Sequence, residues 1–356
     1  MTLPVIRELT ESQNPKPKTH NRSGWGLIGA SNIARQFMIW AIRAQPDAQV
    51  VGVVSSDRER GARFAEEHGL ARHYDSLEAM LADPDITCVY VSTTNEQHRD
   101  QVIASARAGK HVLCEKPLAL TMADALAMVE ACATAGVVMA TNHHLRNAGL
   151  HHRMRELIAG GAIGDVLVAR VFHAVYLPES LHGWRIDNPA AGGGVILDIT
   201  VHDADTVRFV LGDNPTEVVA MTATHGLGKS GLADTVMGVM RMRSGVLVQF
   251  HDAFTVKHMP TGFEVHGTGG SLVAKNCMTQ NPVGELTLRR GNEEELIDDF
   301  ERDDLYKRSV RNFMAAVSGT GQPSATGEDG LWSLATALAA QESAATGTSA
   351  TVSITA

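Results

Sequence analysis

The chain has 356 residues, and at roughly 150 residues per domain this length predicts two domains. Its 31 lysines and arginines stand against 40 aspartates and glutamates, which gives a formal net charge of -9. A general surface for nucleic acid or for an anionic membrane is excluded, because either would be repelled. The four cysteines show no CxxC spacing, so we expect no disulfide framework, no structural zinc and a reducing, cytoplasmic setting.

Residues 1–22 carry charges throughout and contain neither an apolar stretch nor paired arginines. They are therefore unlike an export signal, and we predict a disordered tail. No apolar run elsewhere approaches the roughly 20 residues that span a bilayer. We expect a soluble protein.

Between residues 24 and 141, short apolar runs alternate with amphipathic stretches. This alternation is typical of the strand-helix-strand units of a parallel sheet. We predict five strands, with the sequences GWGLIG, AQVVGVVS, TCVYVST, KHVLCEK and GVVMAT. Asp75, together with Glu78, is predicted to cap the helix SLEAMLAD, and helices are predicted to end at Gly69, Gly109 and Gly136.

The pattern changes after Asn142, and we predict a second domain over residues 143–356. A helix over about 147–159 and a strand VLVARVFHAVY come first. Another helix follows the run Gly192-Gly193-Gly194, and consecutive strands with short turns come after it. This order is typical of an α+β domain.

Polar residues alternate along the segment RMRSGVLVQF, which predicts that one face of the second sheet contacts water. They are Arg241, Arg243, Gln249 and His251. A large apolar dimer face is then not required, and we expect a monomer or a weak homo-oligomer.

The first predicted strand runs into the turn Gly29-Ala30-Ser31-Asn32-Ile33-Ala34. It fits the dinucleotide-binding pattern G-x-G-x-x-G/A if Ser31 takes the place of the second glycine. An ordinary strand-to-helix turn is the alternative, but the surrounding strand-helix repeats favour a dinucleotide. The free N–H groups of the helix would face the pyrophosphate, and the Ser31 hydroxyl would add a donor.

The second strand ends in Ser55-Ser56, where an NAD site usually has an Asp or Glu for the ribose 2′-hydroxyl. Two hydroxyls followed by Arg58 and Arg60 suit a 2′-phosphate, which a carboxylate would repel and a guanidinium binds. The alternative is a solvated pair of arginines offset by the acidic residues beside them. We predict an NADP-binding Rossmann domain over residues 23–142.

Two further strands end in polar residues at the edge where open α/β sheets bind ligands. The segment STTNEQH ends at His98, and the second strand runs into Glu115-Lys116-Pro117. Because a buried strand precedes Lys116 and a proline follows it, we expect its side chain at the crevice. A surface lysine at a turn is the alternative.

Asp198 and His202 occupy positions i and i+4 of the helix after the glycine run and share one face. Three interpretations stay open: a hydrogen-bonded structural pair, a metal site, or an acid/base unit facing the crevice. Metal is the least favoured, because no third ligand has a suitable spacing, and we predict no metal. Two histidine pairs elsewhere lack a completing ligand and are interpreted as surface or crevice residues. They are His143-His144 and His151-His152.

Taken in order, the first turn, GKHVLCEKPLA, TNHHLRNAGLHHRMRELIAGGAIGDV and GGGVILDITVHDAD resemble the Gfo/Idh/MocA family of NAD(P)-dependent sugar oxidoreductases, over about residues 24 to 350. The resemblance implies an α/β protein in which a Rossmann domain precedes an α+β domain with a large, mostly antiparallel open sheet. Within the family, GLIGASNIAR, YVSTTNEQHR, RVFHAVYLP, GWR and FEVHGT are similar to an NADPH-dependent keto-sugar reductase. Its substrate would be 1,5-anhydro-D-fructose and its product 1,5-anhydro-D-mannitol.

The resemblance also implies the roles of the site residues. His202 would give a proton to the forming alkoxide, Lys116 would polarise the carbonyl, and Asp198 would orient the substrate and support His202. The residues lining the substrate pocket would be His173, Trp184 and Arg185. The residues contacting NADPH would be Gly29, Ser31, Asn32, Ile33, Ala34, Ser55, Ser56, Arg60, Thr93, Thr94, Asn95, His98, Glu115, Lys116, Asn142, Trp184, Arg185 and Tyr306.

Two other functions stay open. One is a dehydrogenase of the same family that oxidises a polyol or sugar with NAD. The other is a dinucleotide-binding sensor without turnover, which would have no need of Lys116, Asp198 and His202 together.

Overall fold

The computed structural model describes residues 22–355, so the predicted tail lies outside the described residues except at Arg22. The strands of its first sheet are β1 (Ser23–Ile28), β2 (Ala48–Val54), β3 (Arg72–Tyr74), β4 (Cys88–Val91), β5 (His111–Cys114) and β6 (Met139–Thr141). All pairs are parallel, in the order β3-β2-β1-β4-β5-β6. The five predicted strands are confirmed, and β3 is an additional edge strand.

The helices of this part are α1 (Ile39–Arg43, after a π-helical turn Ala34–Met38), α2 (Arg58–Glu67), α3 (Leu77–Leu81), α4 (His98–Arg107) and α5 (Met122–Ala135). The predicted cap of α3 is wrong. Ser76, not Asp75, accepts a hydrogen bond from the Ala79 N–H, because Ser76 has the extended backbone of an N-cap residue. Helices end as predicted at Gly69, Gly109 and Gly136, all with positive φ.

The second sheet has nine strands. They are β7 (Val166–Ala174), β8 (Pro215–Ala223), β9 (Thr235–Met242), β10 (Leu247–Ala253), β11 (Gly262–Gly267), β12 (Ser271–Lys275), β13 (Glu285–Arg290), β14 (Glu293–Ile297) and β15 (Ala350–Thr351). Their order is β14-β13-β12-β11-β7-β10-β9-β8-β15. Only the β7–β10 pair is parallel, so the predicted mostly antiparallel sheet is confirmed.

The remaining helices are α6 (Gly149–Ala159), α7 (Trp184–Asp187), α8 (Val201–Leu211, after a π-helical turn Ile196–Thr200), α9 (Leu305–Val317) and α10 (Gly327–Thr346). The C-terminal part of the chain returns to the first sheet. The Thr141 N–H donates to the Ala325 carbonyl, and Trp25 of β1 packs on Phe313 of α9 with ring centroids 5.2 Å apart. Among the described residues, no helix is both long and apolar enough to cross a membrane.

One face of the second sheet is open. Arg241 and Gln249 are exposed there, as the alternation predicts. Apolar side chains share the exposed surface of these strands: Met221 is 79% exposed, Met237 49% and Val239 39%. The opposite face packs against α10 and the π-helical turn before α8 and carries the buried residues that reach the site described next.

Candidate active site

A cleft of about 860 Å³ lies between the carboxyl ends of the first sheet and the second sheet. It brings together segments that are far apart in the sequence. Most of the predicted site residues line it, namely Gly29, Ser31, Asn32, Ile33, Ser56, Arg60, Thr93, Thr94, Asn95, Glu115, Lys116, His173, Trp184, Arg185, Asp198 and His202. Five others do not line it, namely Ala34, Ser55, His98, Asn142 and Tyr306.

The turn after β1 brings backbone close to the cleft. Gly29 has φ of 107°, and a Cβ there would lie 3.1 Å from the Ser92 backbone, so only glycine fits this approach. The Ser31 hydroxyl accepts a hydrogen bond from the Ala34 N–H at 3.1 Å and shares another with Ser92 Oγ at 2.8 Å. Ser31 therefore closes the first turn of the helix as well as facing the cleft.

The end of β2 presents one arginine to the cleft. Arg60 donates from Nε and Nη2 to Ser55 Oγ at 3.1 and 3.0 Å, and from Nη2 to Ser56 Oγ at 3.2 Å. Arg58 instead forms an ion pair with Asp75 at 2.9 Å. The sequence gives Arg58 and Arg60 the same role, but only Arg60 lines the cleft. Ser55 contributes by positioning the Arg60 guanidinium.

Lys116, Asp198 and Arg185 form the charged centre of the cleft. Lys116 Nζ donates to the Asp198 carbonyl at 2.8 Å and to its Oδ1 at 3.0 Å, and Arg185 Nε lies 3.3 Å from Asp198 Oδ2. Burial alone would raise the pKa of Asp198, but the charges of Lys116 and Arg185 outweigh it and hold that pKa below its usual value. Asp198 therefore stays ionised between two cations.

The glycine run makes this contact possible. Gly193 lies so close to the segment before it that a Cβ would be 2.4 Å from the Trp184 carbonyl oxygen. The Gly194 N–H donates to the Arg185 carbonyl at 2.8 Å. Helix α7 is thereby held over the π-helical turn that carries Asp198.

Among the described residues no hydrogen bond joins His202 to Asp198, whose carboxylate contacts Lys116 and Arg185 instead, so the structure shows no direct contact through which Asp198 would support His202. His202 packs instead against the ring of His144, with centroids 4.8 Å apart. Burial, the Lys116 charge and the nearby histidines lower the pKa of His202 well below its usual value. Its imidazole is therefore neutral at pH 7.

The five predicted residues outside the cleft wall support residues that line it. The His98 ring is fully buried against the carbonyls of Thr93, Pro117 and Leu118. Asn142 donates from Nδ2 to Glu115 Oε1 at 2.6 Å.

Tyr306 has no exposed surface and stacks on His144 at 4.9 Å. Ala34, also without exposed surface, is the helix residue whose N–H Ser31 caps. Burial raises the pKa of Glu115, which the hydrogen bonds from Asn142 and Tyr90 oppose.

Several cleft residues were missed by sequence reasoning. They include Tyr176, Lys257, Met259, Asn276 and Gln280. These residues lie in loops after β7, β10 and β12, where only the position after a strand end could have indicated them.

His144, which the sequence indicates as a surface or crevice residue, lines the cleft. Three of the four paired histidines are buried, at 2%, 4% and 0% exposure for His143, His144 and His151. Within residues 22–355 no group of three or more His, Cys, Asp or Glu is placed to hold a metal ion.

Comparison with known proteins agrees with this geometry. A family model described as an oxidoreductase family with an NAD-binding Rossmann fold matches residues 23–143, and a model of the GFO/IDH/MocA C-terminal domain matches residues 151–273. The chain belongs to the Gfo/Idh/MocA family of oxidoreductases. The predicted family and enzyme class are thereby confirmed, with an NAD(P)-binding Rossmann domain.

The chain is more similar in sequence to some members of the family than to others. The chain is 58% identical over 328 residues to 1,5-anhydro-D-fructose reductase of Ensifer adhaerens, which covers 92% of the chain and 98% of that protein. It is 31% identical to myo-inositol 2-dehydrogenase of Thermotoga maritima, over 90% of the chain and 94% of that protein. An aldose-aldose oxidoreductase from Caulobacter crescentus superposes with a TM-score of 0.84 at 23% identity, covering 93% of the chain and 99% of that structure, which shows the shared fold.

Proposed function

We propose that this protein is an NADPH-dependent reductase of a keto-sugar. The observation that carries the proposal is the position of Lys116, which is held by Asp198 in the same cleft as the Gly29 turn and Arg60. A cationic donor beside a dinucleotide site is the arrangement needed to stabilise an alkoxide as it forms from a ketone.

The residues present fit NADPH. The Gly29 backbone leaves room that a Cβ would fill, and the helix after it has free N–H groups for a pyrophosphate. The free edge of the Arg60 guanidinium, positioned by Ser55 and Ser56, suits a 2′-phosphate, and the two serines stand at the end of β2 where the carboxylate of an NAD site would repel it. When bound, NADPH supplies the hydride.

The proton is assigned to Lys116. The sequence favours His202 as the proton donor, but burial and the Lys116 charge hold the pKa of His202 well below its usual value, so the cationic imidazolium that would donate the proton is scarce at pH 7. The Lys116 ammonium both polarises the carbonyl oxygen and delivers a proton to it, and regains that proton from water after the product leaves. Asp198, which also pairs with Arg185, keeps the ammonium in place, and the neutral His202 ring in the cleft wall would hydrogen bond to the substrate.

The substrate we propose is 1,5-anhydro-D-fructose, reduced to 1,5-anhydro-D-mannitol. Support comes from the 58% identity to the Ensifer reductase and from the polar groups that surround Lys116 in the cleft. All four cysteines are free and buried, which supports work in the reducing cytoplasm. We propose no nucleic-acid or membrane partner, and a monomer or weak homo-oligomer.

A panel of keto-sugars and polyols, each with NADPH, NADH, NADP⁺ and NAD⁺, tests the proposal through the absorbance of reduced nicotinamide. We expect the highest kcat/KM for reduction of 1,5-anhydro-D-fructose with NADPH. Faster oxidation of a polyol or sugar with NAD⁺ would favour a dehydrogenase instead. No turnover with any pair, despite binding of a dinucleotide, would favour a sensor.

A further inference from the structure

Behind the cleft wall lies a buried group of side chains that the mechanism above does not use. His173 of β7 and Asp252 of β10 are partners in the parallel register, and Asp203 of α8 packs over them. His173 Nδ1 lies 2.8 Å from Asp203 Oδ1, and Thr200 Oγ1 donates to Asp252 Oδ2 at 2.5 Å. Both carboxyl groups are 0% exposed, whereas His173 borders the cleft.

The remaining oxygens of the two carboxyl groups require a proton. Asp203 Oδ2 and Asp252 Oδ1 are buried without a hydrogen-bond partner among the described residues, and the two carboxyl groups are close enough for each to shift the pKa of the other. Two neighbouring carboxyl groups that are both fully buried are not both ionised, because burial and their mutual repulsion disfavour two negative charges. One proton between Asp203 Oδ2 and Asp252 Oδ1 satisfies both atoms at once.

We propose that Asp203 and Asp252 share one proton and together hold His173 in the tautomer that presents an unprotonated Nε2 to the cleft, where it accepts a hydrogen bond from a hydroxyl group of the substrate. This inference rests on the proposed reduction of a keto-sugar. Asp203 and Asp252 are positioning residues, since they act only through His173.

The tautomer follows from the count of protons. The shared proton lies between Asp203 Oδ2 and Asp252 Oδ1, so Asp203 Oδ1 carries no proton. Asp203 Oδ1 therefore accepts a hydrogen bond from His173 Nδ1–H. Burial lowers the pKa of His173 to about 4, so the ring is neutral and carries no second proton. Burial likewise raises the pKa of Asp203 to about 7, as expected for an acid that keeps a proton near neutrality. Nε2 is then a hydrogen-bond acceptor, and it favours a ketone that carries hydroxyl groups over a ketone that carries none.

A double-mutant cycle on the full-length enzyme tests the proposal, with 1,5-anhydro-D-fructose and NADPH as substrates. His173→Phe should raise the KM of the sugar roughly tenfold with little change in kcat, because one hydrogen bond to a hydroxyl is lost. Asp203→Leu should raise KM by a similar factor, because Nδ1–H loses its acceptor. The double variant should be no worse than His173→Phe alone.

Asp203→Asn is the matched control. Its amide oxygen can still accept from Nδ1–H and its NH₂ can donate to Asp252 Oδ1, so KM should stay within about threefold of the wild type. An unchanged KM in Asp203→Leu, or effects of the two single substitutions that multiply, would overturn the proposal.

A second measurement tests the proposal even if the Asp203→Leu protein does not fold. In wild-type protein with ¹⁵N-labelled histidine, the signals lost in His173→Phe should show a protonated Nδ1 and an unprotonated Nε2. The reverse tautomer contradicts the proposal. Absence of keto-sugar turnover in the wild type would instead refute the proposed function and leave this spectrum as the test of the carboxyl pair.

Discussion

Arg60 should decide between the two nicotinamide cofactors. Its Nε and Nη2 are already bonded to Ser55 and Ser56, and within residues 22–355 nothing accepts from Nη1. Arg60 lines the cleft. Arg60→Ala should therefore weaken NADPH far more than NADH, which has no 2′-phosphate.

The size of the effect follows from the exposure of Arg60. A charge-assisted hydrogen bond contributes roughly 1.5 to 3 kcal/mol, and solvent screening at an exposed side chain favours the lower part of that range. About 1.5 to 2 kcal/mol corresponds to roughly ten- to thirtyfold in kcat/KM for NADPH. The kcat/KM for NADH should change by less than about threefold.

Steady-state kinetics with both cofactors at saturating keto-sugar measure the ratio directly. Arg58→Ala is the matched control, because Arg58 is only two residues away in the same helix but pairs with Asp75, and its loss should leave the ratio unchanged. An equal loss for NADPH and NADH in Arg60→Ala would refute the 2′-phosphate role. So would a change of the ratio in Arg58→Ala.

Three further outcomes can be measured on the same protein. Lys116→Met should lower kcat by roughly 10²- to 10³-fold at unchanged NADPH affinity, whereas a change in KM alone would remove Lys116 from the proton transfer. Because the pKa of His202 is depressed, its protonated form exists only at low pH. The kcat for reduction should therefore not fall as the pH rises from about 6 to about 8, and a fall centred near about pH 6.5 would identify His202 as the proton donor. Burial alone would raise the pKa of Asp329, but Arg146 and Arg208 outweigh it and depress that pKa, so its contribution to stability is complete above about pH 4 and declines progressively as the pH falls towards the depressed pKa. Asp329→Asn should accordingly lower the melting temperature more at pH 7 than at pH 3, and a larger loss at pH 3 would contradict this.

The parts of the fold that the sequence predicted well depend on local patterns. Strands β1, β2, β4, β5 and β6 are apolar runs between turn residues, so each is readable by itself. Strand β3 has three residues, of which Arg72 and His73 are exposed, and it contains no apolar run to detect. The cap of α3 was assigned to Asp75 because two adjacent residues could serve, and only the backbone conformation selects Ser76.

The site was predicted as a set of residues but not as a set of contacts. Lys116 and Asp198 are 82 residues apart, and no spacing rule indicates that they meet. The spacing of Asp198 and His202 suggested a pair on one helix face, but a π-helical turn and two nearby cations direct the carboxylate elsewhere. Asp203 was not singled out, because its importance depends on Asp252, a strand residue that only the folded sheet brings beside it.

The most direct test of the proposed function is transfer of a label. The protein is incubated with 1,5-anhydro-D-fructose and NADPH deuterated at the nicotinamide C4 position on either face, and the product is analysed by NMR. We expect one deuterium at C2 of 1,5-anhydro-D-mannitol from one of the two labelled cofactors, and none in a Lys116→Met sample run in parallel for the same time. A product without deuterium from either cofactor, or deuterium at another carbon, would contradict reduction of the ketone in this cleft.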